Sequence, residues 1–320
     1  MSNGTVALQL AVAALRLEPG TEVIMPAFTI VSCALAALYN GLVPRLVDVD
    51  PETWCLDVEQ VARRIGPRTR AVMPVHMYGH PADMDTVIAL AREHGLSVVE
   101  DAAEAHGAEY RSHGAWRRCG GFGDASCFSF YANKPVTTGE GGMVLTDDDE
   151  LARRLRSLRN LAFGRDERFV HDELGFNFRM TNVQAALGVA QVERVDAIVA
   201  RKREIGRAYT DRLHDVEGLR LPAERPWARS VYWMYGIVLD PRRMAPGDLA
   251  EGLAARGIET RAFFRGLHEQ PALRRLGLFD GESYPVTESL GREGLYLPSG
   301  NSLTDAEVDE VCAAVRELLR

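Results

Sequence analysis

Three short stretches carry side chains whose types and spacing could do chemistry together. In CFSFYANK, residues 127–134, an apolar, strand-like run ends on a lone lysine, Lys134, and the glycine pair of TTGEGGM follows. Such a lysine is either a solvated edge charge or a buried amine waiting for a carbonyl compound. Burial lowers an amine's pKa and frees it to act as a nucleophile or base. In VVEDAAEAHG, Asp101 ends a run that reads as a strand covered on both faces. A buried carboxylate must be paired, because leaving it charged and alone costs several kcal/mol. An internal salt bridge would serve, and so would the protonated nitrogen of a pyridine ring. In SNGT, residues 2–5, Ser2, Asn3 and Thr5 can all cap the apolar helix that follows. The same helix start, with free N–H groups and the positive end of the dipole, is a seat for phosphate. Ser129, five residues before Lys134, adds a second hydroxyl.

For these residues to meet, the elements that carry them must end on one side of the molecule. TEVIMPAF, PRLVDVD, TRAVMPVHMYG and GLSVVED read as short strands. Between them lie the helical patterns IVSCALAALYNG, DVEQVARRIG and MDTVIALAREHG, closed by Gly41, Gly66 and Gly95. Nearly wholly apolar strands alternating with helices predict a mainly parallel sheet covered on both faces. Ligands of such sheets sit beyond the carboxyl ends of the strands. Asp101, His76 and Lys134 all follow strand-like runs, so this geometry brings them to the same edge. Further on, GMVLT reads as a strand, DDELARRLRSLRNL as a charged helix and 161–177 as irregular. The span from TNVQAALG to YTDRL has the spacing of one long helix. From about residue 210 the pattern turns strand-rich, with VYWMYGIVLD and GIETRAFF as strands and helices at PGDLAEGLAARG and TDAEVDEVCAAVRELL. YRSHGAWRRCGGFGD, residues 110–124, reads as an exposed hairpin with solvated arginines.

Composition narrows the function classes. The chain has 320 residues, 46% hydrophobic and 26% charged, the balance of a globular protein with a large core. A net charge of −8 argues against nucleic-acid binding, which depends on Lys and Arg neutralising phosphates. It leaves room for a locally positive pocket. No apolar run reaches the ~20 residues of a membrane span, and MSNGTVALQL lacks the basic start of a signal peptide. Five scattered cysteines form no CxxC pair, so the sequence points to a cytoplasmic protein without a zinc site or disulfide framework.

The stretches SNGT, PAFT, VDVDPETW, PVHMYGHPADM, VEDAAEAHGA, GDASCFSFYANK, TTGEGGMV, ELGFNFRMTNVQAA and LPSGNSLT together resemble the DegT/DnrJ/EryC1/StrS family of sugar aminotransferases dependent on pyridoxal 5'-phosphate (PLP). FYANK, TTGEGGM and FFRGLHEQP look closest to the perosamine-synthase-like branch, which aminates C4 of a nucleotide-linked 4-keto-6-deoxysugar. The resemblance implies an α/β fold of type I: a large αβα domain with a mainly parallel sheet, residues 1–205, and a smaller α+β C-terminal domain, residues 206–320. It also implies a homodimer with shared active sites, glutamate as amino donor and a ping-pong exchange between PLP and its amine form, PMP. Lys134 takes the place of the cofactor-bonding lysine, which also moves the proton, and Asp101 that of the pyridinium partner. Gly4, Thr5 and Ser129 match phosphate-binding positions, and Glu104 a position beside the ring. Phe28 and Ile30 flank the position expected to cover the ring; with Ile30 there, the family's aromatic stack is absent. Asn177 and Arg179, in GFNFRM, match a segment that reaches the neighbouring subunit's phosphate. His268, in GLHEQP, and His76 are placed toward substrate. Family members carry a few dozen residues before SNGT, so the phosphate seat is expected beside a frayed terminus. The other readings are amination at C3 or of a keto-cyclitol, and a non-catalytic PLP-binding paralogue.

Overall fold

The computed structural model describes residues 1–164, 169–171 and 173–320; residues 165–168 and 172, inside the stretch read as irregular, lie outside the described residues. Apolar runs rich in Val, Ile and Leu can be covered on both faces only inside a sheet flanked by helices, and they form one. In chain order come α1 (Gly4–Ala14), β1 (Glu22–Pro26), α2 (Ser32–Leu38), β2 (Val43–Val47), α3 (Val58–Arg64), β3 (Thr69–Val72), α4 (Met84–His94) and β4 (Ser97–Asp101). The hairpin β5 (Glu109–Ser112) and β6 (Ala115–Arg118) precedes β7 (Ala125–Ser129), β8 (Gly142–Leu145) and α5 (Asp149–Arg159). The central sheet runs β2-β1-β3-β4-β7-β8, parallel except for β8, which is antiparallel to β7. Its order makes the carboxyl ends of β4 and β7 neighbours, with Asp101 opposite Cys127. α1 lies against β7 and β8, so its first turn meets the same edge.

The chain continues through α6 (Asn182–Val192), α7 (Val195–Leu213), β9 (Leu219–Arg220), β10 (Ala228–Arg229) and β11 (Tyr235–Leu239). It ends with α8 (Pro246–Ala254), β12 (Arg261–Ala262), α9 (Pro271–Arg274), α10 (Pro285–Glu293), β13 (Gly294–Leu297) and α11 (Asp305–Leu318). A second, antiparallel sheet has the order β12-β13-β11-β9. Its own core includes Tyr209, Tyr235, Ile237, Leu249, Val311 and Val315.

Two expectations are corrected. The single helix expected after Thr181 is broken at Glu193–Arg194. The break separates α6, which buries no residue, from α7, which packs Ile205, Tyr209 and Leu213 into the second core. Residues 1–3 are bound rather than frayed: Ser2 N donates to Phe178 O at 2.9 Å, and Gly142 N donates to Met1 O at 3.0 Å. Among the described residues no helix is long and apolar enough to cross a membrane.

Candidate active site

β4 ends on two acids, and strand alternation sends them to opposite faces. Glu100 is fully buried and accepts from His76 Nε2, from the Gly120, Phe122 and Gly123 amides, and from Ser126 Oγ. Burial alone would raise its pKa, but His76 and these other donors hold it at about 2. Asp101, on the other face, accepts among the described residues only from Ala103 N (3.0 Å) and Cys33 Sγ (3.2 Å). Burial pushes its pKa up, against those two bonds and the attraction of Lys134. A carboxylate with lone pairs to spare is thus left facing a cavity of about 410 Å³.

Lys134 enters that cavity from the loop after β7. The loop is closed by bonds from Phe130 N to Gly141 O and from Thr138 N to Phe130 O. Lys134 Nζ lies 3.7 Å from Glu104 Oε1 and 3.3 Å from the centre of the Trp233 ring. Burial pulls its ammonium down from the ordinary lysine value, opposed by Glu104 and Asp101. Burial likewise pushes Glu104 up, opposed by Lys134 and by the Tyr78 N–H, which bonds Glu104 Oε2 at 2.8 Å. The two shifts run toward each other, each group being the nearest opposite charge the other meets in the cavity.

The start of α1 forms the third wall. The Asn3 side chain caps the helix by accepting from Val6 N at 3.0 Å, while the first-turn N–H groups of Gly4 and Thr5 have no intrahelical acceptor. A Cβ on Gly4 would come within 2.7 Å of Ser129 Cβ, so only glycine lets the helix start approach the β7 end. A Cβ on Gly142 would likewise strike the Asn3 carbonyl, which accounts for the last glycine of TTGEGGM. Thr5 Oγ1 and Ser32 Oγ are 2.7 Å apart at the same wall. An amine, an under-bonded acid and an anion-seeking helix start therefore surround one space. It can take a ligand with a carbonyl, a ring nitrogen and a phosphate.

Lys134, Asp101, Glu104, Ser129, Gly4, Thr5 and Ile30 all line this cavity. The other expected residues do not. Phe28 is fully buried, packed on Tyr78, Phe263 and Phe264, and leaves the cavity wall to Thr29 and Ile30. His76 is corrected to a structural position: its Nδ1 accepts from Ala82 N at 2.9 Å, so Nε2 carries the proton that bonds Glu100 at 2.8 Å. His268 is also turned away, buried against Tyr284 with Nε2 3.1 Å from Glu288 Oε1. Asn177 and Arg179 are exposed, and Arg179 Nη1 donates to Asn160 Oδ1 at 2.7 Å. Trp233, Tyr296 and Arg261 reach the cavity without any motif to announce them; a Trp before the YGIVL strand is the only hint.

A parallel sheet whose edge gathers these groups is the framework of an aminotransferase. The chain belongs to the DegT/DnrJ/EryC1/StrS aminotransferase family, whose pattern matches residues 1–316. GDP-perosamine synthase of Caulobacter vibrioides is 42% identical over 321 residues, covering 99% of this chain and 84% of that protein. The dTDP-3-amino-3,4,6-trideoxy-alpha-D-glucose transaminase of Streptomyces venezuelae is 38% identical, covering 99% of this chain and 81% of that protein. Among solved structures, S. venezuelae DesV in complex with a ketimine intermediate superposes with a TM-score of 0.91 at 38% identity, covering 99% of this chain and 83% of that one.

Proposed function

We propose that this aminotransferase moves an amino group from glutamate to a nucleotide-linked 4-keto-6-deoxysugar, with PLP held in the Lys134 cavity. The observation that carries the reading is the convergence of Lys134, Asp101 and the α1 start on one cavity. Identity to a perosamine synthase over nearly the whole chain supports the acceptor class and amination at C4.

The residues present fit the cofactor. The glycine cradle at Gly4 leaves the α1 amides, Thr5 and Ser129 open to a phosphate. Asp101, whose pKa burial has raised, gains from a cationic ring nitrogen and keeps it protonated. When bound, PLP supplies an electron sink for charge left on the donor's Cα. Lys134 Nζ would hold the cofactor, and the same amine is the group placed to take the Cα proton of glutamate and to return a proton to product. Glu104 keeps that amine in place and stores its proton. Ile30 lines the cavity and would cover the ring without an aromatic stack.

The protein acts as a cytoplasmic homodimer. α6 buries nothing within the chain, and its Val183, Leu187, Val189 and Val192 stand exposed. A second copy covering this face would bring Asn177 and Arg179 to its neighbour's phosphate seat. Residues 1–205 hold the cofactor and 206–320 form the smaller unit beside it.

Borohydride reduction of the PLP-loaded protein followed by peptide mapping tests the site: label falls on Lys134, and Lys134→Ala loses both label and turnover. Label on another lysine overturns the assignment. Incubation with glutamate and a panel of nucleotide-linked 3-keto and 4-keto sugars tests the acceptor, with 4-amino product expected.

A further inference from the structure

Trp233 is buried just before β11, and its indole face lies over the Lys134 amine, with Nζ 3.3 Å from the ring centre. Contacts from three directions fix that ring. Its indole N–H donates to Asn133 O at 2.8 Å, one residue before Lys134 itself. Its carbonyl accepts from Lys202 Nζ of α7 at 2.8 Å, and Ser299 Oγ stands 3.5 Å from the same oxygen. On the other side Gly79, at a φ of +96°, lets the Trp233 backbone come close, since a Cβ there would lie 3.0 Å from Trp233 N. The ring is thus tied to the lysine's own loop, to α7 and to the turn after β3.

The ionisable groups around Lys134 act on it in a different way from that ring. Asp101 at the end of β4 and Glu104 in the loop after it attract the ammonium, yet a carboxylate can also take its proton. Tyr131 and Glu140, in the lysine's own loop, and Arg261 on β12 line the same cavity, while Lys202 and Glu259 line the space beside it. His106, its pKa lowered to about 3 by burial and by Lys134, stays neutral, as do Tyr78 and Tyr296, whose pKa values burial raises. The indole face favours a cation over the neutral amine but offers no lone pair to carry the proton away.

We propose that Trp233 is a positioning residue of the transamination: its ring seats the ammonium that Lys134 becomes on taking the donor's proton, and keeps that proton on Nζ until it is returned. The inference rests on the role of Lys134 given above. The proton passes from the donor Cα to Nζ and from Nζ to the product, so no further reactant is needed. The indole bond to Asn133 O couples ring and lysine loop, which keeps the face under Nζ.

The test reads the protonation of Lys134 itself. Protein loaded with PMP, in which Nζ is free, is labelled with acetic anhydride across a pH series, and acetylated Lys134 is quantified by peptide mapping. Loaded with PLP instead, wild type protects Lys134 from the reagent; equal labelling in both forms overturns the cofactor assignment and the inference with it. In the PMP form, Trp233→Leu lowers the midpoint of Lys134 labelling by about one pH unit, the scale of one desolvated cation–π contact. Trp233→Phe, which keeps a ring and loses the N–H, recovers most of that shift. Because Trp233→Leu can fail to fold, a second measurement carries the test by itself: the unmutated chain with its four tryptophans replaced by mono- and difluorotryptophan. Fluorine keeps the shape and depletes the π-face, so the midpoint falls with each fluorine added. A protected Lys134 with the same midpoint in fluorinated and unmodified protein leaves the cofactor site standing and overturns the role of Trp233.

Discussion

Glu100 and Asp101 are chain neighbours, both buried, yet the two faces of the sheet treat them oppositely. On one face five donors surround Glu100 and hold its pKa at about 2. On the other, two donors leave Asp101 with a raised pKa at the cavity wall. Burial is common to both, so the supply of donors makes the difference. A saturated carboxylate is a fastening for the 119–126 segment, whereas the under-supplied one keeps lone pairs free at the cavity wall.

The largest expected effect breaks the functional face. Asp101→Asn removes the charge that keeps the ring nitrogen protonated, so turnover falls by about two to three orders of magnitude, the scale of losing one electrostatic contact in a dry site. The melting temperature of the apoprotein stays within a few degrees, because few native bonds depend on the charge. Near-normal turnover in the Asn variant would falsify the division between the faces.

The next effect breaks the structural face. In Glu100→Gln the amide nitrogen cannot accept, so buried donors around the 119–126 loop lose their partner at a cost of about 3 kcal/mol. The melting temperature drops by several degrees, and the folded fraction keeps turnover within a few-fold. The pH dependence sharpens this. Glu100's folded pKa, about 2, lies below the ordinary 4.5, so its contribution is present above pH 4.5 and is lost as pH falls toward 2. That contribution is about 3 kcal/mol. The gap in melting temperature between wild type and Glu100→Gln should therefore close between pH 4.5 and 2. A gap that persists at pH 2 would show that packing, not the charge, is what the variant lost.

Much of this site can be read from the sequence because its parts sit where chain elements start or stop. Asp101, Ser129 and Lys134 follow strands, Gly4 and Thr5 open a helix, and a parallel sheet sends such ends to one edge. The face of the sheet is harder to read. His76 follows a strand as Asp101 does, but its ring goes under Glu100, and nothing in PVHMYG distinguishes the two sides. His268 lies in a short turn whose Leu267 N is bonded to Ala27 O, a contact across more than half the chain. Lys202, in ARKREIGR, is one cation among several on an amphipathic helix, and only packing shows that it is the buried one. The break between α6 and α7 falls in QVERVD, where no glycine or proline marks it.

The smallest expected effect concerns how Asp101 is aimed. Its Oδ2 accepts from Cys33 Sγ, and Thr29 Oγ1 stands 3.5 Å behind that sulfur. Burial first, and then the charge of Asp101, push the Cys33 thiol well above its ordinary pKa. The thiol therefore stays protonated and remains a donor at every pH the enzyme meets. Cys33 is thus a positioning residue, acting through the carboxylate rather than on substrate. Cys33→Ala deletes the donor with little change of volume, and a weak neutral hydrogen bond corresponds to about a two- to fivefold loss of turnover. Cys33→Ser restores an O–H at the same place and should recover most of that loss, which a packing role alone would not produce. Paired turnover and cofactor-retention measurements on the two variants decide it. Equal turnover in Ala and wild type would mean that Asp101 is held by the Ala103 amide alone, and that its face of the sheet is even poorer in donors than the geometry suggests.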